Sequence, residues 1–172
     1  MIMIKLKEIT RTLERLAPLS FQESYDNSGL QVGDPEMEIN GILITLDVTE
    51  EVVEEAAVSG FNLILSHHPV IFGGLKSLTG HTAAERIVLE AIKKGIAIYS
   101  GHTNFDAVMG GVNTALANRL GLQDQNWVAE SRLGTSWLSQ VGPPNLSAMD
   151  YHSDFPMLFA WARRISGARE LS

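Results

Sequence analysis

Four side chains of metal-binding type follow two short apolar segments of the sequence. They are His67, His68, His102 and Asp106. Neutral imidazole is the commonest protein ligand of metal ions, and a carboxylate beside it suits Zn, Fe, Mn or Ni. Ions held by such a set could activate a water molecule for hydrolysis. These residues therefore predict a site for divalent metal ions.

The elements around these residues would bring them to one edge of a sheet. Residues 61–66 and 95–100 are short, apolar and bounded by turn residues, so each predicts a buried strand. Residues 83–94 predict a helix long enough for a crossover between parallel strands. Ligands of open α/β sheets bind outside the carboxyl ends of the strands, where both polar clusters would lie. Pro69 ends the first strand, so the two adjacent imidazoles can converge instead of pointing to opposite faces.

A simpler interpretation exists for each part of this site. An isolated pair of adjacent histidines is more often packed or hydrogen-bonded than bound to metal, and the second cluster makes metal binding the stronger hypothesis. Asp106 could equally cap the helix that follows Gly110, although it lies several residues early for that role.

Two further polar residues are candidates for binding substrate. Asp47 ends a third predicted strand, where it could contact substrate or metal, or could simply be a turn residue before the helix cap Thr49. Lys76 lies in the glycine-containing loop 73–80 and could meet an anion. That loop lacks the spacing of a Walker loop, and a flexible surface loop is the alternative interpretation.

Composition limits the class of protein. The chain has 172 residues, of which 45% are hydrophobic and 19% charged, as is typical of a soluble α/β domain. The formal net charge of −7 argues against nucleic-acid binding, which needs a basic face. Without any cysteine, a metal must be held by imidazole and carboxylate. No signal peptide or membrane-spanning stretch is recognisable, so we expect a cytoplasmic protein with no membrane partner.

Strand and helix patterns alternate along the first two thirds of the chain. This alternation predicts an α/β fold of three layers with a mainly parallel sheet. We expect residues 1–122 to form a metal-binding α/β domain, beginning with an amphipathic helix that stops near Pro18. Residues 123–172 differ in composition, and only residues 156–166 predict a helix there.

Five motifs together resemble those of the GTP cyclohydrolase I type 2 homologue family. They are YDNSGLQVG (25–33), LDVT (46–49), SHHPVIF (66–72), LKSL (75–78) and HTNFD (102–106). The resemblance implies the N-terminal half of a two-half α/β fold, a dinuclear metal site and a toroidal, usually hexameric homo-oligomer. It also implies a hydrolase of unsettled substrate. It implies that His67, His68 and Asp106 are metal ligands, with His102 at a further position near the metals.

The sequence departs from the family pattern in its last third. Members of the family continue into a second half, where a helix-borne histidine and glutamate complete the dinuclear site. We find no counterpart here, and residues from about 132 onward no longer resemble the family. We therefore expect a truncated or frame-shifted product with a divergent tail at 123–172 and an incomplete dinuclear site.

Two functions stay open at this point. One is a metal-dependent hydrolase that takes a small anionic or nucleotide-like ligand. The other is a non-catalytic metal-binding or assembly module.

Overall fold

The computed structural model describes residues 4–122, 125–127 and 138–140, so the helix predicted over 156–166 lies outside the described residues. The strands are β1 (Ile4–Lys5), β2 (Gly29–Val32), β3 (Glu38–Ile39), β4 (Ile42–Thr45), β5 (Leu63–Ser66), β6 (Ala97–Ser100), β7 (Gln125–Trp127) and β8 (Leu138–Gln140). The helices are α1 (Leu6–Leu16), a 3₁₀ turn (Leu19–Phe21), α2 (Glu50–Val58), α3 (Ala83–Lys93), α4 (Thr103–Asp106) and α5 (Val112–Arg119).

The main sheet has four strands in the order β2-β6-β5-β4. Strands β4, β5 and β6 are parallel, as the strand–helix alternation predicted. Strand β2 joins the edge of the sheet antiparallel to β6, with a register shift between Leu30 and Val32. The α/β class with a mainly parallel sheet is therefore confirmed, with one antiparallel edge strand.

The two faces of this sheet are covered by different helices. Alternate strand residues point to opposite faces, so Ile64 and Ile98 pack with α2 and α3, whereas Leu63 and Tyr99 pack with Leu6 of α1. All five side chains are fully buried. Helix, sheet and helix thus form the expected three layers around two apolar clusters.

The third predicted strand, which ends at Asp47, is divided into two. Residues of β3 pair with β1 in a separate two-stranded sheet, and β4 begins only at Ile42. The chain turns between them because the Asn62 side chain accepts from Asn40 N and donates to Glu38 O. Gly41 allows this turn, since a Cβ there would lie 2.1 Å from the Phe61 ring.

The helices begin and end close to their predicted limits. Thr49 caps α2 by accepting a hydrogen bond from Val52 N, and Thr82 caps α3 by accepting from Glu85 N. Such caps each stabilise a helix by about 1 kcal/mol.

None of the helices in the described part of the chain has the length and apolar character needed to span a bilayer. The domain boundary near residue 122 stays a prediction.

Candidate metal centre

The register of the main sheet brings four chain segments to one edge. Thr45, Ser66 and Ser100, the last residues of the three parallel strands, are paired directly across the sheet. Because β2 runs antiparallel, its first residue, Gly29, pairs with Ser100 at the same edge. The segments after β4, β5 and β6 and the segment before β2 therefore meet at this edge.

The histidine pair follows β5 directly. His67 N donates to Thr45 O and His68 N to Leu46 O, so backbone bonding to the neighbouring segment continues past the end of the strand. The buried Ser66 Oγ then donates to His68 O at 2.9 Å, which holds the backbone where the chain turns. The two imidazole centroids lie 4.9 Å apart. The predicted convergence of adjacent histidines at a strand end is present.

His102 reaches the same place from the end of β6. Its ring centroid lies 5.1 Å from that of His67 and 5.5 Å from that of His68. Asn104 is fully buried, accepts from His102 N and donates through Nδ2 to Ala17 O, which fixes the turn into α4. The three histidines thus form one cluster, which we call the histidine triad (His67, His68 and His102).

The triad has the donor set of a metal site. One ligand nitrogen from each ring lies within 4.8 Å of the other two. The Nδ1 atom of every ring already faces an oxygen acceptor. These pairs are His67 with Gly101 O at 3.0 Å, His68 with Asp47 Oδ1 at 2.7 Å and His102 with Asp26 Oδ1 at 2.8 Å. A carbonyl or carboxylate oxygen accepts, so Nδ1 donates and the Nε2 lone pair is left for a metal, the usual arrangement around metal-binding histidines.

Burial and neighbouring rings keep the His67 imidazole neutral. Burial, together with the neighbouring His68 and His102, lowers the pKa of His67 to about 4, and its bond to Gly101 offsets only part of this lowering. Neutral imidazole is the form that binds metal ions. His67 is therefore in the ligand state near pH 7.

Asp26 is a member of the site that the sequence reasoning missed. Its side chain has no exposed surface, and it accepts hydrogen bonds from His102 Nδ1, from Ser28 Oγ, and from the backbone and hydroxyl of Thr103. Burial alone would raise the pKa of Asp26, but bonds from Thr103, His102 and Ser28 outweigh it and hold the pKa at about 2. Asp26 lies in the 25–33 motif, which was the available signal.

Asp106 lies beside the triad but outside the 4.8 Å group. It is the last residue of α4. Burial raises its pKa to about 6, against the lowering effect of the neighbouring His102 and His68. It does not cap α5, because that helix begins after Gly111 with no side-chain cap. Its role as a ligand stays a prediction, although a nearby cation would favour its ionised form.

The two predicted substrate residues lie in different places. Asp47 is half exposed and binds His68, so its contact within the described structure is with the triad. Lys76 lines a separate, mostly apolar groove of about 660 Å³ between β2 and α3, together with Gln31 and Val88. The structure therefore brings Asp47, and not Lys76, to the histidine triad.

The fold and the site together define a class. This is an α/β protein whose parallel strands present, at their carboxyl ends, a group of three histidines that could hold a metal ion. A sequence model of the Duf34/NIF3 (NGG1p interacting factor 3) family matches residues 4–155. The chain belongs to that family.

Individual relatives agree with this assignment. The chain is 45% identical over 118 residues to the GTP cyclohydrolase 1 type 2 homolog of Clostridium perfringens, covering 69% of this chain and 45% of the relative. It is 47% identical over 117 residues to the rat NIF3-like protein 1, and the match covers 67% of this chain and 31% of the relative. The crystal structure of a Bacillus cereus protein related to NIF3 superposes with a TM-score of 0.71 at 41% identity, over 76% of this chain and 36% of that one. The chain thus spans about half, or less, of the length of these relatives.

Proposed function

We propose that this chain is the metal-binding part of a metal-dependent hydrolase, with the histidine triad as its ligands. The observation that supports this most is that all three Nδ1 atoms donate to oxygen acceptors, which leaves each ring an Nε2 lone pair, in a cluster where one ligand nitrogen of each ring lies within 4.8 Å of the others. Three protein ligands with further positions open is the arrangement of catalytic, rather than structural, zinc sites. A bound divalent ion supplies Lewis acidity, which polarises a substrate oxygen and acidifies a nearby water.

Each of the described residues at the site has a proposed role. Asp26, Asp47 and the Gly101 carbonyl orient the three rings through Nδ1. Asp106, ionised above a pKa of about 6, is proposed as a fourth ligand. His68 is half exposed, so the site opens to solvent on its side, where a small anionic or nucleotide-like substrate would enter. The positive charge of the bound ion would attract an anionic substrate locally, although the net charge of the chain is negative.

A second candidate function is a metal-binding module without catalysis. Within the described residues, the group of mutually close ligands contains three imidazoles and no carboxylate that bridges two ions. Such a set can hold one ion, and a second ion would need ligands from elsewhere, for example from another copy in a homo-oligomer. This candidate predicts stoichiometric metal without turnover.

Hydrolysis can be tested with a panel of nucleoside triphosphates and p-nitrophenyl phosphate, before and after chelation with EDTA. We expect turnover that disappears on chelation, returns with added metal and is lost in His68→Ala. The matched control is His81→Ala, because His81 is an exposed histidine outside the triad. Turnover that survives both chelation and His68→Ala would rule out the hydrolase proposal, and bound metal with no turnover would favour the second candidate.

A further inference from the structure

Two exposed aromatic side chains adjoin the histidine triad. Tyr25 is 62% exposed and Phe72 is 52% exposed. Their ring centroids lie 6.4 Å apart at an interplanar angle of 46°. This is within the contact range of aromatic pairs, so the two inclined rings form one continuous apolar surface. We call Tyr25 and Phe72 the aromatic platform.

The platform borders the candidate ligands directly. The Phe72 ring meets the His102 ring edge to face, with centroids 6.2 Å apart. Tyr25 immediately precedes Asp26, the carboxylate that binds His102. A group that lies on the platform would therefore place its substituents beside the triad.

Hydrogen bonds between two loops hold the platform together. Phe72 follows Ile71, whose backbone O accepts from Asn27 Nδ2 and whose N donates to Gln31 Oε1. Gln31 Nε2 also donates to Asn27 O. The loop that bears Tyr25 and the loop that bears Phe72 are thus bonded through side chains of one motif. The ring positions are preorganised, so these protein side chains lose less conformational entropy when a ligand binds.

The size of the platform distinguishes between possible occupants. At these exposures the two rings present roughly 200 Å² of surface, taking the area typical of aromatic side chains. A stable protein interface needs about 800 Å² from each partner. A single planar ring system, in contrast, is matched by two aromatic side chains, because stacking on aromatic faces tolerates any flat heterocycle.

We propose that Tyr25 and Phe72 bind the planar heteroaromatic ring of a ligand whose polar end reaches the histidine triad. This deepens the proposed function, on which it rests for the role of the triad, by naming a substrate class and two residues that select it. The ring stacks on the platform, and specificity arises because a ligand without a ring loses that contact.

Calorimetric titration of the zinc-loaded full chain with guanosine monophosphate and with ribose 5-phosphate tests this directly. The two probes share a sugar phosphate and differ in the ring. We expect the nucleotide to bind at least roughly tenfold more tightly. Phe72→Leu and Tyr25→Leu should each raise its Kd roughly 5- to 150-fold, the fold-change that corresponds to one stacking contact, and leave ribose 5-phosphate unaffected. Val58→Ala, a substitution at a 79% exposed apolar residue at the end of α2, is the control.

The outcomes separate this proposal from the proposed function. Both platform side chains are more than half exposed, so the variants should keep the far-ultraviolet circular dichroism and the metal content of the wild type. Stoichiometric metal with equal affinity for the two probes overturns the platform and leaves the metal site intact. A nucleotide preference that persists after EDTA treatment and disappears in the platform variants supports the platform even if the chain holds no metal. The proposal is also overturned if Val58→Ala weakens nucleotide binding as much as the platform variants do.

Discussion

Asp26 and His102, 76 positions apart in the chain, are joined by a hydrogen bond of 2.8 Å between Oδ1 and Nδ1. The carboxylate is completely buried and the imidazole nearly so, with 17% of its side chain exposed. The bond fixes the position of the His102 ring and leaves its Nε2 as the nitrogen that can bind a metal. Residues that orient metal-binding histidines in this way typically change metal affinity 10- to 100-fold when replaced.

Asp26→Asn should therefore weaken zinc binding about 10- to 100-fold. The amide keeps the size of the side chain but removes the charge that the imidazole N–H and the Thr103 hydroxyl donate to. Zinc affinity by competition with a fluorescent chelator measures the effect. Asp47→Asn is the informative comparison: the Asp47–His68 pair is about half exposed on both sides, so its loss should cost less. Equal affinity in wild type and Asp26→Asn would contradict the orienting role.

Asp106→Asn should stabilise the metal-free protein above pH 6. Burial raises the pKa of Asp106 from 3.8 to about 6, so the folded state holds a proton that the unfolded state releases, and stability falls as pH rises through that interval. Removing the charge should raise the free energy of unfolding by about 1–3 kcal/mol at pH 8 and by little at pH 4. Urea unfolding in EDTA at the two pH values measures this. If Asp106→Asn changed the free energy of unfolding equally at both pH values, the carboxylate would not titrate as described.

Gly101→Ala should disturb the site through packing. A Cβ at the buried Gly101 would lie 2.6 Å from the Phe105 ring, and the Gly101 carbonyl accepts from His67 Nδ1. Overpacking of this kind costs about 1–3 kcal/mol, and we expect weaker zinc binding as well. Gly73→Ala is the matched control because a Cβ at Gly73 would have no neighbouring atom within 4 Å. Thermal unfolding and zinc affinity of the two variants should differ clearly, and equal behaviour would contradict this account.

Glu85→Gln should remove part of the acid sensitivity of the fold. Glu85 accepts from Thr79 N, Thr79 Oγ1 and His81 N, and these bonds hold its pKa at about 2, below the ordinary 4.5. A lowered carboxyl pKa contributes stability that is complete above pH 4.5 and lost as pH falls toward 2. The melting temperature of Glu85→Gln should lie below that of the wild type at pH 7, and the gap should narrow on acidification.

The matched control for that experiment is Glu55→Gln, an exposed glutamate on α2. We expect its melting temperature to follow the wild type across the same pH range. A gap between wild type and Glu85→Gln that stays constant from pH 7 to pH 3 would refute the stabilising role of the ionised Glu85.

Much of the fold could be predicted because the local patterns agree with the tertiary structure. The apolar strands β5 and β6 and the cap Thr49 are local signals, and these strands and α3 lie close to their expected limits. The histidine triad could be predicted as well, because parallel strands place their carboxyl ends at one edge.

The 25–33 motif marks Asp26, but its contact with His102 could not be predicted, because it depends on the direction of β2. A parallel strand would have presented its last residues at the site, whereas the antiparallel β2 presents the residues that precede Gly29. Four residues of strand pattern do not encode which edge a strand joins or which way it runs. The pairing of Asp47 with His68 is also a tertiary contact, and the sequence allowed either a turn or a ligand role for Asp47.

Metal content per chain, measured by elemental mass spectrometry, tests the central claim most directly. Wild type, His68→Ala and His81→Ala should be purified side by side, loaded with zinc and desalted. The account predicts at least one ion per chain in the wild type and in His81→Ala, and a large loss in His68→Ala. Equal metal in all three proteins, or none in the wild type, would contradict a metal site at the histidine triad.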